Sequence, residues 1–168
     1  MQSPIGRLAG ALLLVVLPLV AHAQAVQRAP KQDAELLLDA VIPFAEQLLQ
    51  RHGEFFPFGA SMALDGRIAM VAAHEGSGRP PSQALIDALT QRFRTEAIAG
   101  RLAATAIAYD ARVTPPGESS KVDAVIVRID HQGDYSVEVV FPYKLGPDRK
   151  PAFGKVFAGK GANAIFSK

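Results

Sequence analysis

Histidines and carboxylates are the side chains of this chain that could bind a metal or transfer protons. Apart from His22, the histidines are His52, His74 and His131. A zinc site needs three or four ligands that converge on the ion. His74 and Glu75 are adjacent and would point to opposite faces of a strand, and no His-x-x-x-His or His-Glu-x-x-His spacing occurs. The sequence therefore predicts no metal site.

The sequence supports nucleophilic catalysis and catalysis by paired carboxylates no more strongly than it supports a metal site. No serine stands in a Gly-x-Ser-x-Gly turn, and the run Gly159–Asn163 lacks the fixed Lys-Ser/Thr spacing of a phosphate-binding loop. Paired carboxylates can act as general acid and base, and Asp110, Asp123, Asp130 and Asp134 could supply them, although each also fits a turn or a polar strand face. We therefore predict no catalytic residue and no cofactor.

The densest aromatic cluster is Phe55-Phe56-Pro57-Phe58. Such a cluster packs into a core, or it lines a pocket where part of it stays exposed. If it lines a pocket, the polar groups best suited to join it are His74, Glu75, Asp110 and His131. The candidate ligand-binding residues are Phe55, Phe56, Phe58, His74, Glu75, Asp110 and His131.

The first 23 residues have the pattern of a secretory signal peptide. Arg7 precedes an apolar run from Leu8 to Val20, and Ala21-His22-Ala23 provides a small-residue cleavage site. The run is too short for a membrane span, which needs about 20 apolar residues. We therefore predict a periplasmic or secreted protein without a transmembrane span after cleavage.

The mature chain, residues 24–168, is long enough for one domain with a real core. It has no cysteine, so no disulfide can stabilise it. Once Arg7 is removed, 17 Lys and Arg oppose 16 Asp and Glu. This balance argues against a general nucleic-acid-binding protein, because such proteins carry a strongly basic surface.

Hydrophobic periodicity then predicts the elements. A polar lead-in over residues 24–32, expected to be disordered, precedes a helix that Asp33 caps at its start and Gly53 ends. Pro43 inside this pattern is expected to kink the helix or divide it in two. Asp65-Gly66 between two apolar runs indicates a hairpin in which Met62 faces Ala69. A second helix, three alternating strands and a basic segment complete the chain, over residues 82–99, 101–113, 122–130, 135–143 and 144–168.

This order, α-β-β-α-β-β-β, predicts an α+β domain over residues 33–143 with an antiparallel five-stranded sheet and two flanking helices. The same order occurs in the profilin-like, longin and roadblock folds, an analogy that implies no activity. The basic segment 144–168 is expected to pack partly on the domain, with a short sixth strand near residues 155–157.

Three stretches also resemble a family of small uncharacterised bacterial proteins. They are the Gly-Glu-Phe-Phe-Pro-Phe segment beginning at Gly53, the strand Asp123-Ala-Val-Ile-Val-Arg-Ile-Asp-His131, and the aromatic end Phe141-Pro-Tyr143. The resemblance covers residues 34–143. That family has no assigned activity, so the resemblance implies no catalytic residues.

Two functions remain open from the sequence. The first is a non-enzymatic binding or interaction module in the periplasm, which contacts an unidentified protein through edge strands and exposed apolar positions and can form a homodimer. The second is a small hydrolase or ligand-binding protein with a pocket near Phe55–Phe58. A surface or polyanion contact through the basic segment is a third and weaker reading.

Overall fold

The computed structural model describes residues 28–74, 76 and 78–167, so the predicted signal peptide lies outside the described residues. Within that range, two helices and seven strands follow one another along the chain. They are α1 (Pro30–His52), β1 (Phe58–Ala63), β2 (Ile68–Ala72), α2 (Ser82–Ile98), β3 (Leu102–Val113), β4 (Val122–His131), β5 (Tyr135–Leu145), β6 (Pro151–Phe153) and β7 (Phe157–Lys160). The predicted α+β class is confirmed. None of the described helices is long and apolar enough to cross a membrane.

All the strands belong to one antiparallel sheet in the order β2-β1-β3-β4-β5-β6, with β7 also paired to β5. The prediction of five strands was therefore wrong. The two additional strands come from the basic segment, which folds back along the outer side of β5. The short sixth strand expected near residues 155–157 lies nearest to β7, which begins at Phe157, whereas β6 was not predicted. Strands of three and four residues are too short to show a hydrophobic period, so the sequence pattern does not give their bounds.

Each face of the sheet carries one helix. Helix α1 lies on the face formed by Ala106 of β3 and Val127 of β4, and its buried stripe includes Leu37 and Val41. Helix α2 lies on the opposite face, where Leu89 and Phe93 pack against Val71 and Ile107. Because strand residues alternate between faces, the candidate side chains of Asp110 and His131 lie on the α1 face.

Helix α1 begins three residues before the predicted Asp33 and continues without interruption through Pro43. Pro43 and Asp39 are both exposed. The proline removes the backbone donor for the Asp39 carbonyl, and water can satisfy that carbonyl. The predicted kink or division of the helix is therefore not required.

The Asp65-Gly66 hairpin is present, but its register differs by one residue from the prediction. Gly66 N donates to Ala63 O and Ala63 N donates to Arg67 O, each at 2.9 Å. Gly66 has φ 86°. This is a type I turn followed by a glycine bulge, so the loop has three residues rather than two. Met62 consequently pairs with Ile68.

The C-terminal residues are attached to the α2 face of the sheet by Asp130 and Ser136. Ser136 Oγ donates to Asp130 Oδ1 at 2.6 Å, and Ile165 N donates to Asp130 Oδ2 at 3.0 Å. Ile165 is buried in the cluster that contains Phe93. The end of the basic segment thus completes the core beneath α2.

Candidate functional site

His131 belongs to a buried polar cluster at the start of α1. Its Nδ1 accepts a hydrogen bond from Gly133 N at 2.8 Å, and its Nε2 lies 3.2 Å from Asp33 Oδ2. Because Nδ1 is an acceptor, the proton of the neutral ring is assigned to Nε2, which donates to Asp33. Asp33 also forms an ion pair with Arg28. Both ring nitrogens are occupied and the ring is buried, so His131 fixes α1 on the sheet rather than facing a ligand.

Asp110 forms a second polar pair on the same face of the sheet. Tyr143 Oη donates to Asp110 Oδ1 at 2.9 Å. Burial raises the pKa of Asp110 above its ordinary value, and the hydrogen bond from Tyr143 partly opposes this shift. Burial also raises the pKa of Tyr143, and the Asp110 charge adds to that effect. A carboxylate with a perturbed pKa often marks a functional site, although structural pairs show the same shift.

The aromatic cluster is divided between core and surface. Phe58 is buried and makes an edge contact with Phe44 at a centroid distance of 4.9 Å. Phe55 is half-buried against Phe58. Phe56 is 42% exposed and its ring meets His74 edge-on at 5.6 Å. His74 Nε2 also lies 3.0 Å from Gly78 O.

The structure does not gather the predicted ligand-binding residues at one point. In the β3–β4 register Asp110 pairs with Val125 and Ala104 pairs with His131, so the two polar clusters are separated by about 20 Å along the sheet at about 3.3 Å per residue. Phe56 and His74 form a third, exposed location, and Glu75 lies outside the described residues. Among the described residues, no group of three or more His, Cys, Asp or Glu could hold a metal ion.

Strand β2 is a feature that the predicted site residues did not include. No described strand pairs with its outer side. The bond from Ala63 N to Arg67 O places the next ladder bonds at Ala69 and Val71, because paired and unpaired positions alternate in an antiparallel ladder. The amides and carbonyls of Ile68, Met70 and Ala72 therefore point outward. The uncharged, proline-free run Ile68–Ala72, which follows Arg67, was the sequence signal for this edge.

Exposed apolar side chains lie along the same edge. Met70 is 41% exposed and shares the α1 face with its partner Ala60. On the helix that flanks this edge, Leu36 is 40% and Phe44 37% exposed. Phe44 is located there by its contact with Phe58, whose strand partner is Ala72.

A cavity of about 500 Å³ lies at the other side of the sheet. Its lining includes Tyr143, the hydrogen-bond partner of Asp110, but none of the predicted site residues. It is formed by the β3–β4 loop, the first residues of β4 and β7, parts of β5 and β6, and the segment between β6 and β7, namely Pro115, Pro116, Glu118, Val122, Pro142, Tyr143, Lys144, Ala152, Phe153, Gly154, Lys155 and Phe157. No local pattern in the sequence could have united these residues, because they meet only when β6 folds onto β5.

Comparison with known proteins yields no relative: no protein-family model, curated protein or solved structure matches this chain. The resemblance to the bacterial family with the Gly-Glu-Phe-Phe-Pro-Phe segment therefore stays a prediction.

Proposed function

We propose that this chain is a non-enzymatic interaction module that acts in the periplasm or outside the cell, and that it associates with a second copy of itself through β2. One observation carries the proposal: β2 presents the outward amides and carbonyls of Ile68, Met70 and Ala72 in a strand without charge or proline. An exposed, uncharged edge strand is a template for pairing with another strand. The assignment to the exterior rests on residues 1–23 of the sequence.

The geometry of β2 favours a second copy as its partner. Antiparallel pairing centred on Met70 places Met70 opposite the Met70 of the second copy and Ile68 opposite its Ala72. Every outward amide and carbonyl of the strand then gains a partner, and no like charges meet. Such a pairing has a two-fold axis perpendicular to the sheet and gives the isologous contact typical of homodimers.

The side chains beside β2 support the same arrangement. The two-fold axis keeps α1 of both copies on the same face of the joined sheet. The exposed flank of each α1, with Leu36 and Phe44, then faces the flank of the other across the paired Met70 side chains. Burial of these side chains would add a hydrophobic contribution to the hydrogen bonds of the strand pair.

A substitution that removes only the outward donor tests the pairing. Met70→Pro deletes an amide that faces away from β1, and proline is accepted at such edge positions. Met70→Val is the matched control, because it keeps the amide and an apolar side chain. In sedimentation velocity over a wide range of concentration, we expect the wild-type mature chain and Met70→Val to be dimeric and Met70→Pro to be monomeric.

Hydrogen exchange checks the position of the contact without a substitution. The amides of Ile68, Met70 and Ala72 should exchange more slowly as the protein concentration rises, whereas those of Ala69 and Val71 should not change. A monomeric wild type at all concentrations, or protection located away from β2, would overturn the proposal.

The alternative, a small hydrolase or ligand-binding protein with a pocket near Phe55–Phe58, gains less support. Phe58 is part of the core. The cavity of about 500 Å³ borders Tyr143, the partner of Asp110, and none of the residues Phe55–Phe58 lines it. The analogy with the profilin-like, longin and roadblock folds concerns the element order from α1 to β5 and does not by itself indicate a partner.

A further inference from the structure

We infer that the cavity beside β6 binds an amphiphilic anion, an aliphatic chain that ends in a carboxylate. The inference is independent of the β2 contact, because the two regions lie on opposite edges of the sheet. It rests on how the cavity is formed, on its apolar walls and on the charges at its rim.

The cavity is a consequence of how the basic segment returns along β5. Strand β6 pairs with residues 143–145 and β7 pairs with residues 137–140, so neither covers Phe141 and Pro142. Pro142 O accepts a hydrogen bond from Gly154 N at 2.7 Å, which directs its carbonyl, and hence its ring nitrogen, toward the outer side of β5. Because proline lacks an N–H, a ladder bond cannot form at that nitrogen. The segment between β6 and β7 therefore separates from β5 beside Pro142.

The walls of the cavity are mostly apolar. Pro115 and Pro142 are buried, and Val122, Phe153 and Phe157 are partly exposed. Tyr143 also borders the cavity, and its side chain is bonded to Asp110 on the α1 face of the sheet. A volume of about 500 Å³ falls in the range of small-molecule sites, which is about 300–1,000 Å³. Walls that are mostly apolar suit an aliphatic chain better than a sugar or a nucleotide.

The rim of the cavity is positively charged. Lys144 and Lys155 are exposed and line it together with one acid, Glu118. Within the described residues neither lysine forms an ion pair, whereas Lys150 pairs with Asp148. An anionic headgroup at the mouth would therefore find two ammonium groups, and the chain would enter the apolar interior. This combination selects a carboxylate amphiphile over a neutral one.

Binding is tested by titrating the mature protein with decanoate in a calorimeter, below the concentration at which decanoate forms micelles. We expect saturable binding. Octanoate should bind more weakly, by about fourfold for each CH₂ removed, because a buried CH₂ contributes about 0.8 kcal/mol. Decanol, which has the same chain without the charge, should bind at least tenfold more weakly than decanoate.

Two variants distinguish the cavity from adsorption elsewhere. A Cβ on Gly154 would meet only Pro142 atoms at 3.7 Å, an ordinary contact, so Gly154→Leu can fill the cavity without strain in the backbone. It should abolish binding. The double substitution Lys144→Gln and Lys155→Gln should weaken decanoate binding at least tenfold and leave decanol unchanged, while Lys160→Gln, in β7 but outside the cavity, should have no effect.

The opposing results are equally clear. Absence of saturable decanoate binding, equal affinity for decanol, or full binding by Gly154→Leu would each overturn the inference. Since Met70→Pro does not alter the cavity, it should bind decanoate like the wild type. Loss of the dimer and loss of the ligand can thus be told apart.

Discussion

The two edges of this sheet are built differently. The β2 edge is a five-residue strand without charge or proline, and Met70 on it is 41% exposed. The opposite edge is divided into β6 and β7, strands of three and four residues, and Pro151, Lys155 and Lys160 lie within or beside them. Short strands, prolines and lysines are the devices that prevent edge-to-edge association. The chain protects one edge and leaves the other open for contact.

The difference extends to what lies behind each edge. Behind β2, Gly59 of β1 is in close contact with α2, since a Cβ there would approach the Phe93 ring to 2.6 Å. Behind β6, the packing opens into the cavity. A rigid support under an exposed strand favours pairing with a partner, because the strand loses little conformational freedom on association. A loose, apolar gap behind a protected edge favours a small ligand instead.

Truncating one aromatic ring on each side should show this difference in stability. Phe93→Ala should lower the free energy of unfolding by about 4 kcal/mol, because Phe93 is a fully buried ring. Phe157→Ala, at the cavity, should cost only about 1 kcal/mol, since its ring is partly exposed. Urea unfolding at one fixed protein concentration measures both. Equal losses would mean that the two edges are supported alike.

The start of α1 offers the next largest effect on the β2 side. Arg28 reaches both Asp33 and Met62 of β1, where its Nη2 lies 3.8 Å from Sδ. Asp33→Ala would remove the carboxylate that pairs with Arg28 and with the buried ring of His131. We expect a loss of about 3 kcal/mol, at the low end for a buried pair because the Arg28 side chain is 25% exposed. Thermal unfolding monitored by circular dichroism measures it.

The matched control is Asp39→Ala, at an exposed position of the same helix. It should change stability by less than about 0.5 kcal/mol, as surface substitutions usually do. If Asp33→Ala were as mild as Asp39→Ala, the polar cluster would not be what fixes α1 beside the hairpin.

The long elements were predictable because each has one buried face. Strand β3 was predicted over residues 101–113 and observed as Leu102–Val113, since alternation along a half-buried strand is a local signal. The hairpin was predicted from Asp65-Gly66, but its register depends on whether the glycine completes a two-residue turn or a bulge. That choice changes partners such as Met62 by one position, and the residue pair alone does not make it.

The sites were less predictable because their parts are far apart in the chain. Asp33 and His131 are separated by 98 residues, and no spacing rule connects them. Asp33 was expected to cap the helix, although it is instead the partner of a buried histidine. The cavity depends on β6 and β7, which pair with β5 in a stretch without periodicity.

Two carboxylates, one in the β1–β2 turn and one on the interior strand β3, should respond to pH with opposite signs, and this is the smallest effect that we expect. Burial raises the pKa of Asp110 from 3.8, so its stabilising contribution is complete below that pH and is lost as the pH rises through the folded value. The hydrogen bond from Arg67 lowers the pKa of Asp65 in the β1–β2 turn, so its contribution is present above 3.8 and is lost as the pH falls.

Urea unfolding between about pH 3 and pH 7 separates these contributions, a range that spans the ordinary carboxyl pKa near 4. Relative to the wild type, Asp110→Asn should become more stable as the pH rises from 4, because asparagine still accepts the Tyr143 hydroxyl but does not ionise. Relative to the wild type, Asp65→Asn should become less stable as the pH rises from about 3 to about 4 and then level off, because it cannot form the 2.6 Å ion pair with Arg67. Parallel pH profiles for the two variants would show that Asp110 is solvated like the turn carboxylate, and the burial assigned to the Tyr143 side of the sheet would then be wrong.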